Sequence, residues 1–513
     1  MVIQVNRAVK SRDITIPSPI MGLNKKDSEA AMNPLFAVRM DNYIPMDSYV
    51  ELRSGYSVYY RQSEAHPVRT LASYHYPSHD KFFGIWNYKI YDITSKANVT
   101  DMEVTLTNDN CQTLQYKNYL YFMNGADTPK AFYVDSNGDE HIEDWGFSGT
   151  GLTASKIING AVSKEFLWFV EKGSMKAWYT SIAGSISGTL SAFDLSQMSK
   201  WGGELVAIAN WTIDGGVGID DYTAFITSEG EVFVYYGTNP SEATEWSLKG
   251  SYKIAKPIGY RCTMQYQGDI VIITQDGYFP MGKALSSANA GNSIVAFSDN
   301  IRGLVIDRTS KNKDRLGWQG IIYTKKGYAI FNVPVAEQFE QHVINVNTGA
   351  WCRFTNIRSF CWCIFDDNLY FGSDDAIYQF DNANSDDGVA IEGIVEQAYS
   401  DFGTQQIKRT TLINPRTSAS APFQLTCYVD TDYKKRDLKY TNNIGIGQGS
   451  MWDASPWNTS NWAIDTAQDI NSQWIMCSGV GFKISIVFKT KTRGLLVDWY
   501  DTGLRYDVGT GIM

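Results

Sequence analysis

The sequence has little of what most enzymes and membrane proteins need. Only five histidines occur among 513 residues, which leaves little material for acid–base catalysis. No apolar run approaches the 18 residues that a membrane-spanning helix requires, and the first 19 residues lack the apolar core of a signal peptide. We therefore expect a chain that is not an enzyme and has no membrane-spanning segment.

Recognisable site motifs are also missing. The sequence contains no P-loop, no GxGxxG after a strand, no GxSxG and no HExxH, so no catalytic, cofactor-binding or metal-binding residue is predicted. The cysteines are odd in number and mostly stand inside strand-like runs, which favours reduced, buried thiols. They are Cys111, Cys262, Cys352, Cys361, Cys363, Cys427 and Cys477.

Charge is scarce and negative. Charged residues make up 19% of the chain, below the roughly 25% of ordinary domains, and the formal net charge is −10. Tight binding of DNA or RNA needs clustered Lys and Arg that displace counterions. The composition argues against such binding, but it is compatible with a surface past which DNA slides without sticking.

Turn glycines and strand-forming residues are abundant instead. Aromatic residues make up 14% of the chain, which holds 43 glycines. Three hairpin-like stretches turn at Gly230, Gly277 and Gly327, which are 47 and 50 residues apart. Apolar, β-branched and aromatic runs flank each turn. Such a period indicates one supersecondary unit repeated around an axis, and the chain is predicted to be all-β.

A phrase of one strand followed by a hairpin recurs seven times over about 310 residues, a period typical of β-propeller blades. We predict a β-propeller of seven blades, or of six if the first copy only closes the ring. The copies are residues 69–76 with 82–93, 111–116 with 119–134, 157–162 with 166–180, 205–213 with 222–236, 260–266 with 269–281, 303–306 with 320–332, and 359–365 with 368–380.

Three parts of the chain are predicted. Residues 1–60 read as an extended N-terminal arm and docking segment, and residues 61–381 as the propeller. A polar break follows, with turn-forming residues. Residues 388–513 alternate like the strands of a separate β-sandwich-like domain. A loop in this last part carries Trp452, Trp457 and Trp462.

Several candidate sites have a plainer interpretation. His75 and His79 are separated by Pro77, which removes the helical geometry that a His-x-x-x-His metal site needs, so a loop is favoured. The pair Cys361 and Cys363 has no second pair and is predicted to pack in a strand. Acidic pairs that a glycosidase would need occur at turns, where Asp is common: Asp220–Asp221, Asp366–Asp367, Asp374–Asp375 and Asp386–Asp387.

The three tryptophans of the loop have two interpretations. Exposed aromatic rings stack on sugars, and they also anchor protein interfaces. We favour the interface, and we predict subunit or partner contacts at Trp452, Trp457, Trp462, Asn42 and Arg53.

Residues 189–262 and 268–282 resemble the tail proteins of short-tailed bacteriophages. The most specific stretch is Gly230-x-Val-x-Val-Tyr-Tyr-Gly-Thr-x-Pro240. Two further stretches resemble the same group, one around Asn42, Arg53 and Gly55, the other at residues 395–409. The family is that of the tail nozzle, also called tail tubular or packaged-DNA-stabilisation protein.

This resemblance implies a structural role and no catalytic residues. It implies a homo-oligomeric ring, usually of six copies, that hangs below the adaptor of the head-to-tail connector in the virion tail. The ring would contact tail fibre or spike proteins and would retain and conduct genomic DNA without sequence-specific binding. Assembly would take place in the host bacterial cytoplasm.

Two alternatives remain open. The tryptophans would also suit a carbohydrate- or receptor-binding propeller of a phage tail fibre. The acidic pairs would suit a propeller glycoside hydrolase.

Overall fold

The structure is a computed structural model that describes residues 10–214, 219–242, 244–266, 268–282, 296–421, 423–436, 442–444 and 470–509. The chain folds into two compact units. The propeller unit comprises residues 58–341 and 356–379, and the sandwich unit comprises residues 1–57, 342–355 and 380–513.

Seven blades of mainly antiparallel strands make up the propeller unit; six are separate sheets, and the strands of the sixth blade, here called sheet 6, belong to a ten-stranded sheet. Sheets 1 and 2 contain Thr70–Tyr74, Lys81–Trp86, Lys89–Ser95 and Asn98–Thr105, then Gln112–Tyr116, Tyr119–Met123, Lys130–Val134 and Glu140–Asp144. Sheet 3 contains Ile157–Ser163, Phe166–Glu171, Lys176–Thr180 and Gly188–Asp194, with the short strand Phe147–Ser148 at its edge. Sheet 4 contains Leu205–Asp214, Ile219–Thr227, Glu231–Gly237 and Trp246–Lys253.

The last three sheets differ in how they are completed. Sheet 5 contains Thr263–Tyr266, Asp269–Thr274 and Gly277–Pro280. Sheet 6 contains Gln319–Tyr323, Tyr328–Val335 and Gln338–Asn345, and the chain leaves the propeller unit within this third strand. Sheet 7 contains Cys361–Phe365, Asn368–Gly372 and Ala376–Ala383, and its fourth strand is Gly55–Arg61, which comes from before the first sheet.

The sheets close into a ring. The first strand of each sheet, here called its inner strand, contacts the inner strand of the next sheet, and the inner strand of sheet 7 contacts that of sheet 1. Apolar cores fill the space between neighbouring sheets, for example Tyr74, Phe83 and Phe132 between sheets 1 and 2. Phe82 and Phe365 stack at 4.9 Å between sheets 1 and 7. The fold is therefore a seven-bladed β-propeller, as the sequence predicted.

The three predicted hairpin turns are present. Gly230, Gly277 and Gly327 have φ values of +80°, +147° and +67°, a region that residues with a Cβ rarely adopt. Gly230 and Gly327 lie between the strands of a blade hairpin, and Gly277 is the first residue of the second strand of its hairpin. The repeat read from the sequence is therefore a repeat of blades.

One predicted strand is wrong. Residues 303–306 were expected to be the inner strand of the sixth copy, but they lie in the helix Arg302–Asn312, which follows the 3₁₀ turn Asp299–Ile301. Val305, Thr309 and Asn312 are buried on one face of this helix. The inner strand of sheet 6 is Gln319–Tyr323 instead. One further 3₁₀ turn, Ala154–Lys156, precedes sheet 3.

The sandwich unit consists of two sheets packed face to face. One contains Lys10–Pro17, Tyr43–Pro45, Val50–Leu52, Lys408–Ala419, Ile470–Ser472, Ile475–Gly481 and Val497–Val508. The other contains Gly22–Leu23, Phe36–Asp41, Trp351–Thr355, Ile391–Gln397, Phe423–Thr431, Asn442–Ile444 and Ile484–Thr492. Phe488 of the second sheet stacks on Trp499 of the first at 4.5 Å and meets Tyr43 edge-on at 5.8 Å.

The N-terminal arm is not a separate part of the molecule. Lys10–Pro17 pairs antiparallel with Val497–Val508 over its whole length, and Phe36–Asp41 pairs with Ile391–Gln397. The predicted arm thus completes the C-terminal sandwich, which is built from both ends of the chain. Within the described residues, no helix is long and apolar enough to cross a membrane.

Candidate functional site

A narrow channel runs where the seven inner strands meet. Its cavity has a volume of about 250 Å³ and is lined by residues from every inner strand. One residue from each strand, in blade order, is Thr70, Gln112, Asn159, Ile208, Thr263, Gln319 and Trp362. At about 30 Å³ of liquid volume per molecule, this space is sufficient for about eight waters.

Arg261 crosses this channel. It precedes the inner strand of sheet 5, and its guanidinium donates to the carbonyl oxygen of Arg69 at 3.2 Å, to Thr70 Oγ1 at 2.9 Å and to the carbonyl oxygen of Cys111 at 2.7 Å. Thr70 lies in sheet 1 and Cys111 directly precedes the inner strand of sheet 2, and these two sheets face sheet 5 across a ring of seven. The Arg261 side chain, here called the strut, therefore connects sheet 5 to sheets 1 and 2 across the ring.

The electrostatics of Arg261 are unusual. Burial lowers the pKa of its guanidinium, since desolvation disfavours the charged form. Within the described part of the chain, no carboxylate pairs with it, and Arg261 is the one charged residue that lines the channel. Carbonyl and hydroxyl dipoles are its partners.

A second cavity of about 370 Å³ adjoins the channel at Arg261. Gln112, Tyr260 and Arg261 line both cavities. The outer cavity carries both signs of charge, from Lys313 and Arg315 and from Glu204 and Asp314.

The sandwich unit carries a row of exposed apolar side chains, here called the apolar stripe. Trp474, Met476, Val480 and Phe482 lie on or beside the strand Ile475–Gly481 and are exposed to 43%, 88%, 48% and 53%. This strand pairs with Lys408–Ala419 on one side, and no strand among the described residues pairs with its other side. Exposed, apolar edge strands are typical contact surfaces.

Two predicted interface residues are buried within the sandwich unit. Arg53 is 0% exposed, and both of its terminal nitrogens donate hydrogen bonds to the Asp386 carboxylate, at 2.8 and 2.6 Å. Its Nε donates to Asn42 Oδ1 at 2.8 Å. The Nδ2 of Asn42, also 0% exposed, donates to Thr355 Oγ1 and to the carbonyl oxygen of Glu392. Their side chains stabilise the sandwich, so any effect on a subunit interface is indirect, and their interface role stays a prediction.

The predicted tryptophan anchors Trp452, Trp457 and Trp462 lie outside the described residues. The apolar stripe begins five residues after the last undescribed position of this region, at Trp474. The stripe could not be predicted from the sequence, because its strand alternates apolar residues with Cys477, Gly479 and Gly481. The alternation of side chains along the sequence was the one available signal, but it does not indicate which face of the strand is buried.

The acidic pairs have local partners or turn positions. Asp386 pairs with Arg53, while Asp374 pairs with Arg358 and Asp375 with Arg61. Asp366 and Asp367 form a turn with φ values of +48° and +55°. The structure does not describe the side chains of Asp220 and Asp221.

The histidines and cysteines also have ordinary surroundings. His75 contacts Asp80 at 3.2 Å, and no group of metal-ligating residues occurs within the described ranges. All seven cysteines are free and buried, and burial raises the pKa of Cys361 to about 11 and that of Cys363 to about 12. These thiols are therefore protonated and poorly nucleophilic at neutral pH.

Comparison with known proteins adds little. No family model and no curated protein matches the sequence. Among solved structures, the crystal structure of BBS1N in complex with ARL6DN, soaked with lead, is similar to 65% of this chain and 99% of that chain. The sequence identity is 10% and the TM-score is 0.36. A similarity at this level carries no argument, so the propeller assignment rests on the ring of sheets described above.

Proposed function

We propose that this chain is a ring-forming structural subunit of a short-tailed phage tail, of the nozzle type, and not an enzyme. The phage-tail part of the proposal rests on the resemblance of residues 189–262, 268–282 and 395–409. The assembly part rests on one observation, the apolar stripe. Four large apolar side chains on or beside an edge strand are costly to leave in water, at roughly 25 cal/mol per Å² of apolar surface. A second copy that covers them removes this cost.

The propeller channel is not the path of the genome in this proposal. A cavity of about 250 Å³ crossed by the Arg261 strut is far too small for a duplex whose major groove alone is about 12 Å wide. The lumen must therefore lie between copies of the chain. In this arrangement each propeller is part of the tube wall.

Net charge supports the same arrangement. A ring of six copies would carry about −60 formally, since each copy carries −10. A lumen of the same sign as the DNA backbone repels phosphate within a Debye length of about 8–10 Å. Ejection is then not slowed by binding. The partners in this proposal are the adaptor of the head-to-tail connector and the tail fibre or spike proteins.

The test is the oligomeric state of the purified chain and of a stripe variant. Mass photometry should find a ring well above the 57.6 kDa of one copy. Met476→Lys combined with Val480→Lys should shift the population to single copies, because two charges would be buried at the contact. The matched control is Ile182→Lys combined with Val389→Lys, at positions that are 71% and 65% exposed.

Two outcomes would contradict the proposal. The wild-type chain could stay monomeric at micromolar concentrations, in which case the stripe is not an oligomer contact. Alternatively, mass spectrometry of phage particles that encode the chain could fail to detect it, in which case it is not a virion component. The control variant must form the same ring as the wild type for the stripe variant to be informative.

A further inference from the structure

The channel around Arg261 has the properties of an anion site. Unpaired charges inside proteins are expensive, and they are retained where a partner or a ligand compensates them. Arg261 is partly buried, lines both cavities, and pairs with no carboxylate among the described residues. No carboxylate among the described residues pairs with its positive charge, and Glu204 and Asp314 of the second cavity make no ion pair with it.

The Arg261 guanidinium has hydrogen-bond donors that its contacts within the propeller do not use. It carries five N–H groups. The contacts with Arg69, Thr70 and Cys111 use only its two terminal nitrogens. No acceptor for Nε occurs in the described part of the chain. At least one N–H is therefore available to a ligand.

The rest of the channel lining suits an oxyanion. It contains no Asp or Glu among the described residues, although the chain as a whole has a net charge of −10. Thr113 and Thr263 contribute hydroxyl groups and Gln112 contributes an amide, all of which can donate hydrogen bonds to an oxyanion. The Thr70 hydroxyl donates to the carbonyl oxygen of Asp109 at 2.7 Å instead. The volume of about 250 Å³ has room for an ion of the size of phosphate with several waters.

We propose that the channel binds a small oxyanion of the phosphate type at Arg261. Arginine matches such ions because its planar fork presents several donors to the same group. The bound anion would neutralise the strut that connects sheet 5 to sheets 1 and 2. Binding would therefore stabilise the closed ring of blades by mass action. This inference is independent of the role in a phage tail.

The experiment uses inorganic phosphate and the full chain. Isothermal titration with phosphate, against chloride at matched ionic strength, should give saturable binding with about one site per chain. At a phosphate concentration ten times the dissociation constant, we expect the melting temperature of the propeller transition to rise by about 2–3 °C. Chloride should not produce this rise.

Variants separate the site from general anion effects. Arg261→Lys keeps the charge but not the fork and should weaken binding about tenfold or more. Thr263→Val removes a channel hydroxyl without touching the strut and should weaken it several-fold. Arg409→Gln, at an exposed arginine of the sandwich unit, is the control and should bind as the wild type does.

Two results would overturn the inference. One is the absence of phosphate-specific binding in the wild type, which would make Arg261 a strut only. The other is equal phosphate binding by the wild type and the variants at positions 261 and 263, which would place the effect elsewhere. If Arg261→Lys does not fold, Thr263→Val decides between these outcomes, because it leaves every hydrogen bond of the strut in place.

Discussion

Arg53→Met tests the buried ion pair of the sandwich unit. Arg53 and Asp386 are 0% and 6% exposed and form a two-pronged pair at 2.8 and 2.6 Å. Methionine keeps most of the side-chain stem, but it leaves the Asp386 carboxylate buried without a cation. Asn42 Oδ1 loses a donor as well. The change therefore removes a charge partner rather than packing volume.

The expected cost is large. Removing one partner of a buried ion pair costs about 3–5 kcal/mol, because the remaining charge stays desolvated. This is a substantial part of the roughly 5–15 kcal/mol that stabilises a typical domain. Adding Asp386→Asn to Arg53→Met should recover part of the loss, since no uncompensated charge remains. The double variant should then be more stable than Arg53→Met alone, and the cycle gives the coupling energy.

Hydrogen exchange measured by mass spectrometry is the assay, because it reports on this unit separately. Peptides that contain Ile391–Gln397 should lose protection in Arg53→Met. The control is Arg505→Met, since Arg505 makes a pair of the same form with Asp13 at 2.7 and 2.8 Å on the surface, where solvent screens it. Equal effects of the two variants, or a loss below about 1 kcal/mol for Arg53→Met, would refute the reasoning.

Two further predictions concern stability. Gly230→Val should destabilise the propeller by at least about 2 kcal/mol, because φ is +80° and an added Cβ would lie 2.5 Å from the carbonyl oxygen of Ile254; an unchanged melting temperature would contradict this. Burial, and after it the charge of the facing Glu51, raise the pKa of Asp498 to about 6. The ionised carboxylate therefore destabilises the folded state at neutral pH, and this destabilisation disappears as the pH falls from about 7 to 4. Asp498→Asn should accordingly raise the melting temperature at pH 7.5, by an amount that corresponds to about 1–3 kcal/mol, and have little effect at pH 4; an equal effect at both pH values would contradict this origin.

Local patterns explain why the blades could be predicted. The turns at Gly230, Gly277 and Gly327 need positive φ values, and the runs beside them are apolar and β-branched, so each hairpin is specified within about 20 residues. The helix Arg302–Asn312 could not be recognised in the same way. Its buried face is Val305, Thr309 and Asn312, so the helical period is carried by polar residues, while the Leu-Val-Ile run is typical of a strand.

The candidate sites were harder to predict than the blades. Arg261 stands in a sequence with no motif around it, and its partners Arg69 and Cys111 are 192 and 150 residues away along the chain. Arg53 was predicted as an interface residue, and that role stays a prediction. Its contact with Asp386, which lies 333 residues away along the chain, could not be predicted from the sequence. No local pattern shows that two such residues meet. The apolar stripe could not be predicted either, because the sequence does not indicate which strand lies at the edge of a sheet.

The sequence by itself determined the all-β class, the repeated blade and its turns, because these depend on side-chain alternation and on turn chemistry over a few residues. Only the tertiary structure decided how the ring closes and how the sandwich is completed. Gly55–Arg61 supplies the last strand of sheet 7, and Lys10–Pro17 pairs with Val497–Val508. Both closures join segments that are hundreds of residues apart. Each closure pairs a strand edge that would otherwise be left without a partner. Which edges meet depends on the whole fold and cannot be predicted from a local stretch of sequence.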